Sequence, residues 1–206
     1  MYALITDGSI SKFINHPKAM VIGDTQYPAK IFQLWSTSEL NAIGIYEVVF
    51  DDSNKKDEQW YINTNQSFAF ADDVVTATYG SATPKAHADT TWSQDDEDAG
   101  LLPSDKSVND IKTRGLKYNL IQTLKSQVAG ILNDTDWYIT RNTEKSTAIP
   151  SAISTHRDAV RTKQAQMETL ITNASDTPAL ETLYTYTEQE DGSVTRPLGE
   201  LPILES

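Results

Sequence analysis

The chain holds few residues in patterns that could support catalysis or metal binding. Its three histidines, His16, His87 and His156, lie far apart and lack metal-ligand spacing. No serine stands in a G-x-S-x-G pattern and the chain has no cysteine, so no activated nucleophile is visible. Paired carboxylates such as Asp51-Asp52 and Asp72-Asp73 fall in predicted turns, where solvated acids are expected. We predict a protein that is not an enzyme, with no catalytic residue, no cofactor and no metal site.

Two arginines are more regularly placed. Arg157 and Arg161 are four residues apart, so a helix places them on one face. One interpretation is a solvated face whose arginines pair with nearby carboxylates. The other is docking onto an acidic partner, or onto an acidic segment of this same protein in a neighbouring copy.

Trp137 raises a different question, because it lies in a polar stretch between two amphipathic runs. A Trp side chain buries about 200 Å² when it packs, so leaving it in water is unfavourable. We expect the indole to close the open end of a helix pair. The alternative is a partner anchor, since Trp is enriched among the residues that dominate interface energies.

The C-terminal segment is apolar but lacks helix or strand character. Pro197 precedes Leu201, Ile203 and Leu204, and Pro202 interrupts them, so the segment is expected to lie extended along another surface. That surface belongs either to the same chain or to a neighbouring subunit. The residues predicted to bind a partner are therefore Trp137, Arg157, Arg161, Leu201, Ile203 and Leu204.

The elements that carry these residues indicate an α+β protein. Residues 1–92 alternate apolar and polar side chains and predict a small domain built as an antiparallel β meander, with helical turns at 37–43. Ser36 and Glu39 form a capping-box pattern before those turns. The strand aromatics Trp35, Trp60, Tyr61 and Trp92 are expected to serve packing, with a host-glycan-binding surface as the alternative.

The second half of the chain changes its period. Residues 93–107 are acidic and predict an exposed linker. Residues 108–174 predict an antiparallel helical hairpin with a polar loop at 132–148, and its second helix begins near Pro150. Residues 175–206 predict a short helix or turn followed by the extended apolar tail.

Composition narrows the class of partner. The net charge is −12 over 206 residues, which disfavours nucleic acid and anionic membrane surfaces as partners. The first residues lack the basic and apolar regions of a signal peptide, and no apolar run is long enough for a bilayer. We expect a protein made in a cytoplasm, or built into a particle there.

Two stretches carry a family resemblance: "RGLKYNLIQTLKSQVAGILNDTDWYITRN" and "IPSAISTHRDAVR", at residues 114–142 and 149–161. They resemble the helical C-terminal domain of bacteriophage tail assembly chaperones and tail-fibre assembly proteins. The matching step is Thr135-Asp136-Trp137, and the second helix matches over residues 156–161. His156 stands where that family has an aromatic residue, and Val160 stands where it has leucine.

The resemblance implies a phage tail protein without enzymatic activity. In the first reading the chain is a structural protein of the virion, in the tail, baseplate or fibre attachment region. It would contact other tail or fibre proteins and copies of itself as a homo-oligomer, after assembly in the host bacterial cytoplasm. In the second reading it is an assembly chaperone that leaves the particle. Both readings depend on residues 108–174 folding back as paired helices, pinned by the ring of Trp137.

Overall fold

A computed structural model of the chain describes residues 1–64 and 66–204. Residue 65 of the predicted β-rich half and residues 205 and 206 of the predicted tail lie outside this description. The described chain contains both strands and helices, so the mixed α+β class is confirmed. It forms two compact units that divide after Thr83, whereas the predicted boundary lies at residue 92.

The elements of the first unit are β1 (Tyr2–Thr6), β2 (Ser9–Ile14), β3 (Met20–Ile22), β4 (Thr25–Tyr27), α1 (Ile31–Leu34), α2 (Thr37–Ala42), β5 (Ile45–Asp51), β6 (Tyr61–Ile62), β7 (Gln66–Ala71) and β8 (Val74–Tyr79), and β9 (Thr83–Pro84) begins at its last residue. The unit is built on a five-stranded sheet in the order β2-β1-β5-β8-β7. The sheet is curled, because Phe13 of β2 and Phe68 of β7 bring the two edges together with ring centroids 4.5 Å apart.

The predicted antiparallel meander is wrong in one respect: β5 and β8 pair in parallel, with Val48 opposite Val75. The chain between them adds β7, which is antiparallel to β8, on the far side of β8. Alternating side chains occur in both kinds of pairing, so the sequence pattern predicts the strands and leaves their direction open. The sheet is therefore mixed.

Each face of the sheet buries its own apolar cluster. One cluster contains the buried side chains of Ile14, Met20, Ile31, Leu40 and Ile45. Ile31 and Leu40 come from α1 and α2, so these short helices cover that face. The other cluster forms around Ala3, Val48, Val75 and Ala77. Since successive strand residues point to opposite faces, Ile45 and Val48 of β5 contribute to different clusters.

The predicted capping box before α2 is confirmed. The Ser36 side chain accepts a hydrogen bond from the Glu39 backbone N–H, and the Glu39 carboxylate accepts one from the Ser36 backbone N–H. These bonds satisfy two backbone donors that a helix start would otherwise leave without partners. The Ser36 hydroxyl and then the Ser36 backbone N–H, both donating to the Glu39 carboxylate, lower the pKa of Glu39.

The second unit is mainly helical. Its elements are β10 (Thr90–Thr91), α3 (Gln94–Asp98), β11 (Ile111–Thr113), α4 (Leu116–Asn133), α5 (Asp136–Lys145), α6 (Ser151–Asn173), α7 (Thr177–Tyr184), β12 (Thr187–Glu188) and β13 (Val194–Thr195). No described helix is both long enough and apolar enough to cross a bilayer.

The segment predicted as an acidic linker is folded back on itself. Pairing of β10 with β11 closes it, and the Trp92 backbone N–H donates to the Asp110 carbonyl at 2.9 Å. Inside it, α3 begins after Ser93 with a second capping box. The Lys112 ammonium binds the Asp96 carboxylate at 2.7 Å, and this contact lowers the pKa of Asp96 to about 2.

Helix α4 begins against the backbone of residues 86–89. The Leu116 and Lys117 backbone N–H groups donate to the carbonyls of Ala86 and His87, both at 3.0 Å. The Gly115 N–H donates to the Asp89 carboxylate at 2.7 Å, a contact that lowers the pKa of Asp89. Gly115 fits here because a Cβ at this position would lie 2.3 Å from the Ala88 carbonyl carbon.

Helices α4 and α6 pack against each other with opposite ends in contact. The Lys117 ammonium near the start of α4 donates to the Thr172 carbonyl near the end of α6. Between the two helices, the predicted polar loop at 132–148 is wrong over most of its length, because residues 136–145 form α5. The large apolar residues of α5 are consecutive, so no 3.6-residue stripe predicts this helix.

The close approach at Gly115 gives a stability prediction. Gly115→Ala should lower the free energy of unfolding by about 1–3 kcal/mol, because the new methyl group meets backbone atoms that have no side-chain freedom to move away. The measurement is urea unfolding followed by helical circular dichroism.

Gly130→Ala is the control, because Gly130 lies inside α4 whereas Gly115 immediately precedes it. A Cβ at Gly130 meets nothing within 4 Å, so alanine should raise the free energy of unfolding by about 0.5–1 kcal/mol through helix propensity alone. Equal effects at both glycines would show that the close approach at Gly115 does not exist.

Candidate functional site

Arg157 organises the junction of α4, α5 and α6. Its Nη1 donates to the Leu132 carbonyl at 2.7 Å and to the Thr135 hydroxyl at 2.6 Å. Its Nη2 donates to the Asp136 carboxylate at 2.8 Å. Thr135 in turn donates its hydroxyl to the Leu132 carbonyl at 3.0 Å. The guanidinium thus binds the last turn of α4, the linking residue and the first residue of α5 together.

The prediction that Arg157 lies on a solvated or docking face is therefore wrong. The residue is 7 % exposed, and its neighbour His156 is buried as well. A buried guanidinium needs several acceptors in its plane, and the end of α4 supplies carbonyls that have no partner within the helix. The Leu132 carbonyl, the Thr135 hydroxyl and the Asp136 carboxylate together supply the acceptors for the inward-facing arginine.

The Trp137 side chain is not buried at the end of the helix pair, although we expect that from the sequence. Its side chain is 50 % exposed, and α5 has no fully buried residue. The ring lies against Tyr138, with centroids 3.8 Å apart and planes 32° from parallel. Arg157 instead stabilises the chain reversal, because it hydrogen-bonds to Thr135 and Asp136, the two residues immediately before Trp137. The expectation that Trp137 pins the helix pair is corrected accordingly.

Arg141 completes a half-exposed stack on α5 that the sequence did not predict. Its guanidinium carbon lies 4.7 Å from the Trp137 ring centroid and 5.6 Å from that of Tyr138. The four-residue spacing of Trp137 and Arg141 could have predicted this contact, because residues four apart on a helix are neighbours. We name Trp137, Tyr138 and Arg141 the aromatic stack. These three residue types are the ones most enriched in interface hot spots.

Arg161 lies on the surface, as both a solvated arginine and a partner-binding arginine would. It is half-exposed on α6, one turn beyond Arg157, and its Nη1 reaches the Asp158 carboxylate at 3.5 Å. An exposed pair of this length contributes little to stability. Arg161 therefore stays a predicted partner-binding residue.

The apolar tail lies beside the helix junction. Leu201, Pro202, Ile203 and Leu204 line a cavity of about 320 Å³. Its other walls are Ile131, Asp134 and Thr135 from the α4–α5 region and His156 from α6. The tail is predicted to lie along a surface of the same chain or of a neighbouring subunit. The structure shows it beside helices of its own chain, within the second unit. Leu201 is half-buried here, whereas Ile203 and Leu204 remain exposed.

The strand aromatics do not form an exposed stacking surface. Trp60 and Tyr61 are each 3 % exposed, so neither ring has a free face for a sugar. Trp35 packs edge-on against Tyr27, and the Lys112 ammonium covers Trp92 at 4.5 Å from the ring centroid. Packing accounts for all four side chains.

The arrangement of acidic and histidine side chains offers no metal-binding group. Within residues 1–64 and 66–204, no cluster of three or more His, Asp or Glu side chains could hold an ion. What the junction offers is a helix start, held by Arg157, that carries the aromatic stack, and an apolar segment in the same unit.

No protein-family model, characterised protein or solved structure significantly matches this chain.

The network around Arg157 predicts a large effect of one substitution. Arg157→Met keeps most of the side-chain volume but removes every donor, leaving the Leu132 carbonyl and the buried Thr135 hydroxyl without their charged partner. We expect the free energy of unfolding to fall by about 2–4 kcal/mol. Urea unfolding followed by circular dichroism measures the change.

Arg161→Met is the control, because it makes the same chemical change one turn along α6. Its single contact is exposed, so we expect a change within about 0.5 kcal/mol. If the two variants lose equal stability, Arg157 has no special role at the junction.

Proposed function

We propose that this chain is a non-enzymatic structural protein of a bacteriophage tail. It acts in the tail, baseplate or fibre attachment region through contacts with other tail or fibre proteins and with copies of itself. Its location is the virion, after assembly in the cytoplasm of the host bacterium. Neither nucleic acid nor a membrane is part of the proposal.

The observation that carries the proposal is the contact between the two stretches that bear the resemblance. Thr135 and Asp136 belong to the first stretch, and Arg157 belongs to the second. The Arg157 guanidinium hydrogen-bonds to both of them. Residues that are 22 and 21 positions apart thus act as one structural unit. This supports a common origin for the two stretches in one domain of the tail-protein type.

The proposal includes the helical hairpin as the working part of the chain. In this view α4 and α6 are its two arms, and α5 forms the tip. Asp136 at the start of α5 and Lys145 at its end match the polarity of the helix dipole, which favours a stable tip. The aromatic stack lies on that tip.

Trp137 is the partner anchor in this proposal. An indole that is half-exposed in the single chain gains burial when a partner covers it. Arg141 lies over the indole and the Tyr138 ring, and no carboxylate of the described chain pairs with its guanidinium. An acidic surface on the partner would complete this contact. The negative net charge of the chain does not oppose it, because Arg141 presents a local positive site.

The test uses particles of a phage that encodes this chain. Mass spectrometry of purified particles should find the protein in fixed stoichiometry. With Trp137→Ala, we expect its amount in particles to fall at least tenfold, while the free energy of unfolding falls by only about 1–2 kcal/mol, as suits a half-exposed ring.

Leu101→Ala is the control, because Leu101 is a large apolar residue of the same unit that is 62 % exposed. This variant should enter particles at the normal level. Particles that lack the wild-type protein altogether would favour the alternative, an assembly chaperone that is not retained. Normal incorporation of Trp137→Ala would remove the indole from the proposed interface.

A further inference from the structure

His156 is a buried polar side chain that the rest of the described chain does not pair. It is 8 % exposed, and its imidazole forms no hydrogen bond or ion pair with another described residue. A neutral imidazole carries one donor and one acceptor, and burying both without partners is unfavourable. The ring of His156 is therefore suited to bind a polar group that comes from outside the chain.

His156 lines the cavity of about 320 Å³ at the helix junction. Asp134, Thr135 and His156 form its polar wall, and Ile131 with residues 201–204 forms its apolar walls. Residues 201–204 thus bound the cavity and do not fill it. Asp134 and residue 203 are exposed, so the cavity opens to solvent beside them. A ligand can enter without displacing any part of the chain.

The polar wall of this cavity is negatively charged. Asp134 directly follows α4, where the carbonyls at the helix end form the negative end of its dipole. The Asp134 carboxylate has no partner among the described residues. Arg157, in contrast, is already bound to the Thr135 hydroxyl and the Asp136 carboxylate. The groups left for a ligand are the carboxylate of Asp134 and the imidazole of His156.

We propose that this cavity binds the side chain of a lysine from another protein. The lysine ammonium has three donors and the positive charge that complements Asp134, and a nitrogen of His156 accepts one of its hydrogen bonds. The aliphatic stem of the lysine lies along Ile131 and Leu201, as lysine stems do on apolar surfaces. The net charge of −12 also attracts a basic partner at longer range.

The division of the cavity into one polar wall and several apolar walls favours lysine over other organic cations. A free diamine carries a second ammonium, which would lie beside Leu201 and Pro202 without a carboxylate, and an unpaired charge there is unfavourable. An arginine side chain needs several acceptors in one plane, whereas this wall offers one free carboxylate and one imidazole. Lysine has a single charge at the end of an apolar stem, which matches the cavity.

This inference rests on the proposed function, because it names a second feature of the partner that would cover Trp137. Asp134 and Trp137 lie three residues apart, on either side of the residues that Arg157 holds. The partner would present an acidic group to Arg141 and a lysine to Asp134. Two contacts of opposite charge fix the orientation of a partner better than one.

The test titrates the full chain with Nα-acetyl-lysine amide and follows the backbone amides and the His156 ring nitrogens by NMR. The titration is run at about pH 8, where an ordinary imidazole is neutral. Nα-acetyl-norleucine amide, which has the same stem without the ammonium, is the matched probe. We expect a dissociation constant on the order of 1 mM for the lysine probe and binding about tenfold weaker for the norleucine probe. Equal binding of the two probes would overturn the inference, and so would equally tight binding of putrescine, a free diamine.

Variants of the polar wall test which groups hold the ammonium. Asp134→Asn removes the charge at nearly constant shape and should weaken binding of the lysine probe about tenfold. Asp158→Asn is the control, because Asp158 is an exposed acid of α6 that does not line the cavity. His156→Phe keeps an aromatic ring and should weaken the lysine probe about threefold without changing the norleucine probe. Unchanged lysine binding in Asp134→Asn, an exposed position that the fold tolerates, would contradict the inference even if His156→Phe does not fold.

Purified particles separate this inference from the proposed function. Asp134→Asn should lower the amount of the protein in particles about tenfold, whereas Asp158→Asn should not change it. Normal incorporation of Asp134→Asn would overturn the lysine contact and leave a tail protein anchored by Trp137 in place. Particles without the wild-type protein would overturn the proposed function, and the probe titration would still decide whether the cavity binds a lysine side chain.

Discussion

The second unit depends on one buried guanidinium. Arg157 binds the last turn of α4, Thr135 in the two-residue link and the first residue of α5, so three helices meet at a single side chain. The end of α4 has backbone carbonyls without helical partners, and a positive charge is favourable at that end of a helix. Removing the arginine would take the charged donor away from the Leu132 carbonyl and from the buried Thr135 hydroxyl, which is costly. The position of everything attached to the junction follows from this contact.

Two surfaces are fixed by that junction. Since Arg157 holds Thr135 and Asp136, α5 starts in a defined direction and Trp137 comes out half-exposed beside Tyr138. The same junction supplies one wall of the cavity along residues 201–204, through Thr135 and His156. A rigid support for an exposed aromatic residue lowers the entropy lost on binding. The aromatic stack and residues 201–204 are therefore parts of one unit.

Much of the fold follows from local sequence patterns, and the site does not. The capping box of Ser36 with Glu39 and the α6 start at Pro150 both depend on residues close in sequence, so a pattern predicts them. The parallel pairing of β5 with β8 and the inward turn of Arg157 depend on distant partners. An arginine on a helix has the same sequence signature whether it faces water or a carbonyl. The indole was expected to be buried because of its size, but its position was decided by the hydrogen bonds of its neighbours.

A double-mutant cycle between Thr135 and Arg157 tests the central role of the junction most directly. Thr135→Val removes the hydroxyl at nearly constant volume, and Arg157→Met removes the donor that reaches it at 2.6 Å. Free energies of unfolding are measured for the wild type, both single variants and the double variant. The account predicts a coupling of about 1–3 kcal/mol, because the two groups meet at a buried site. Additive effects, within about 0.5 kcal/mol, would contradict it.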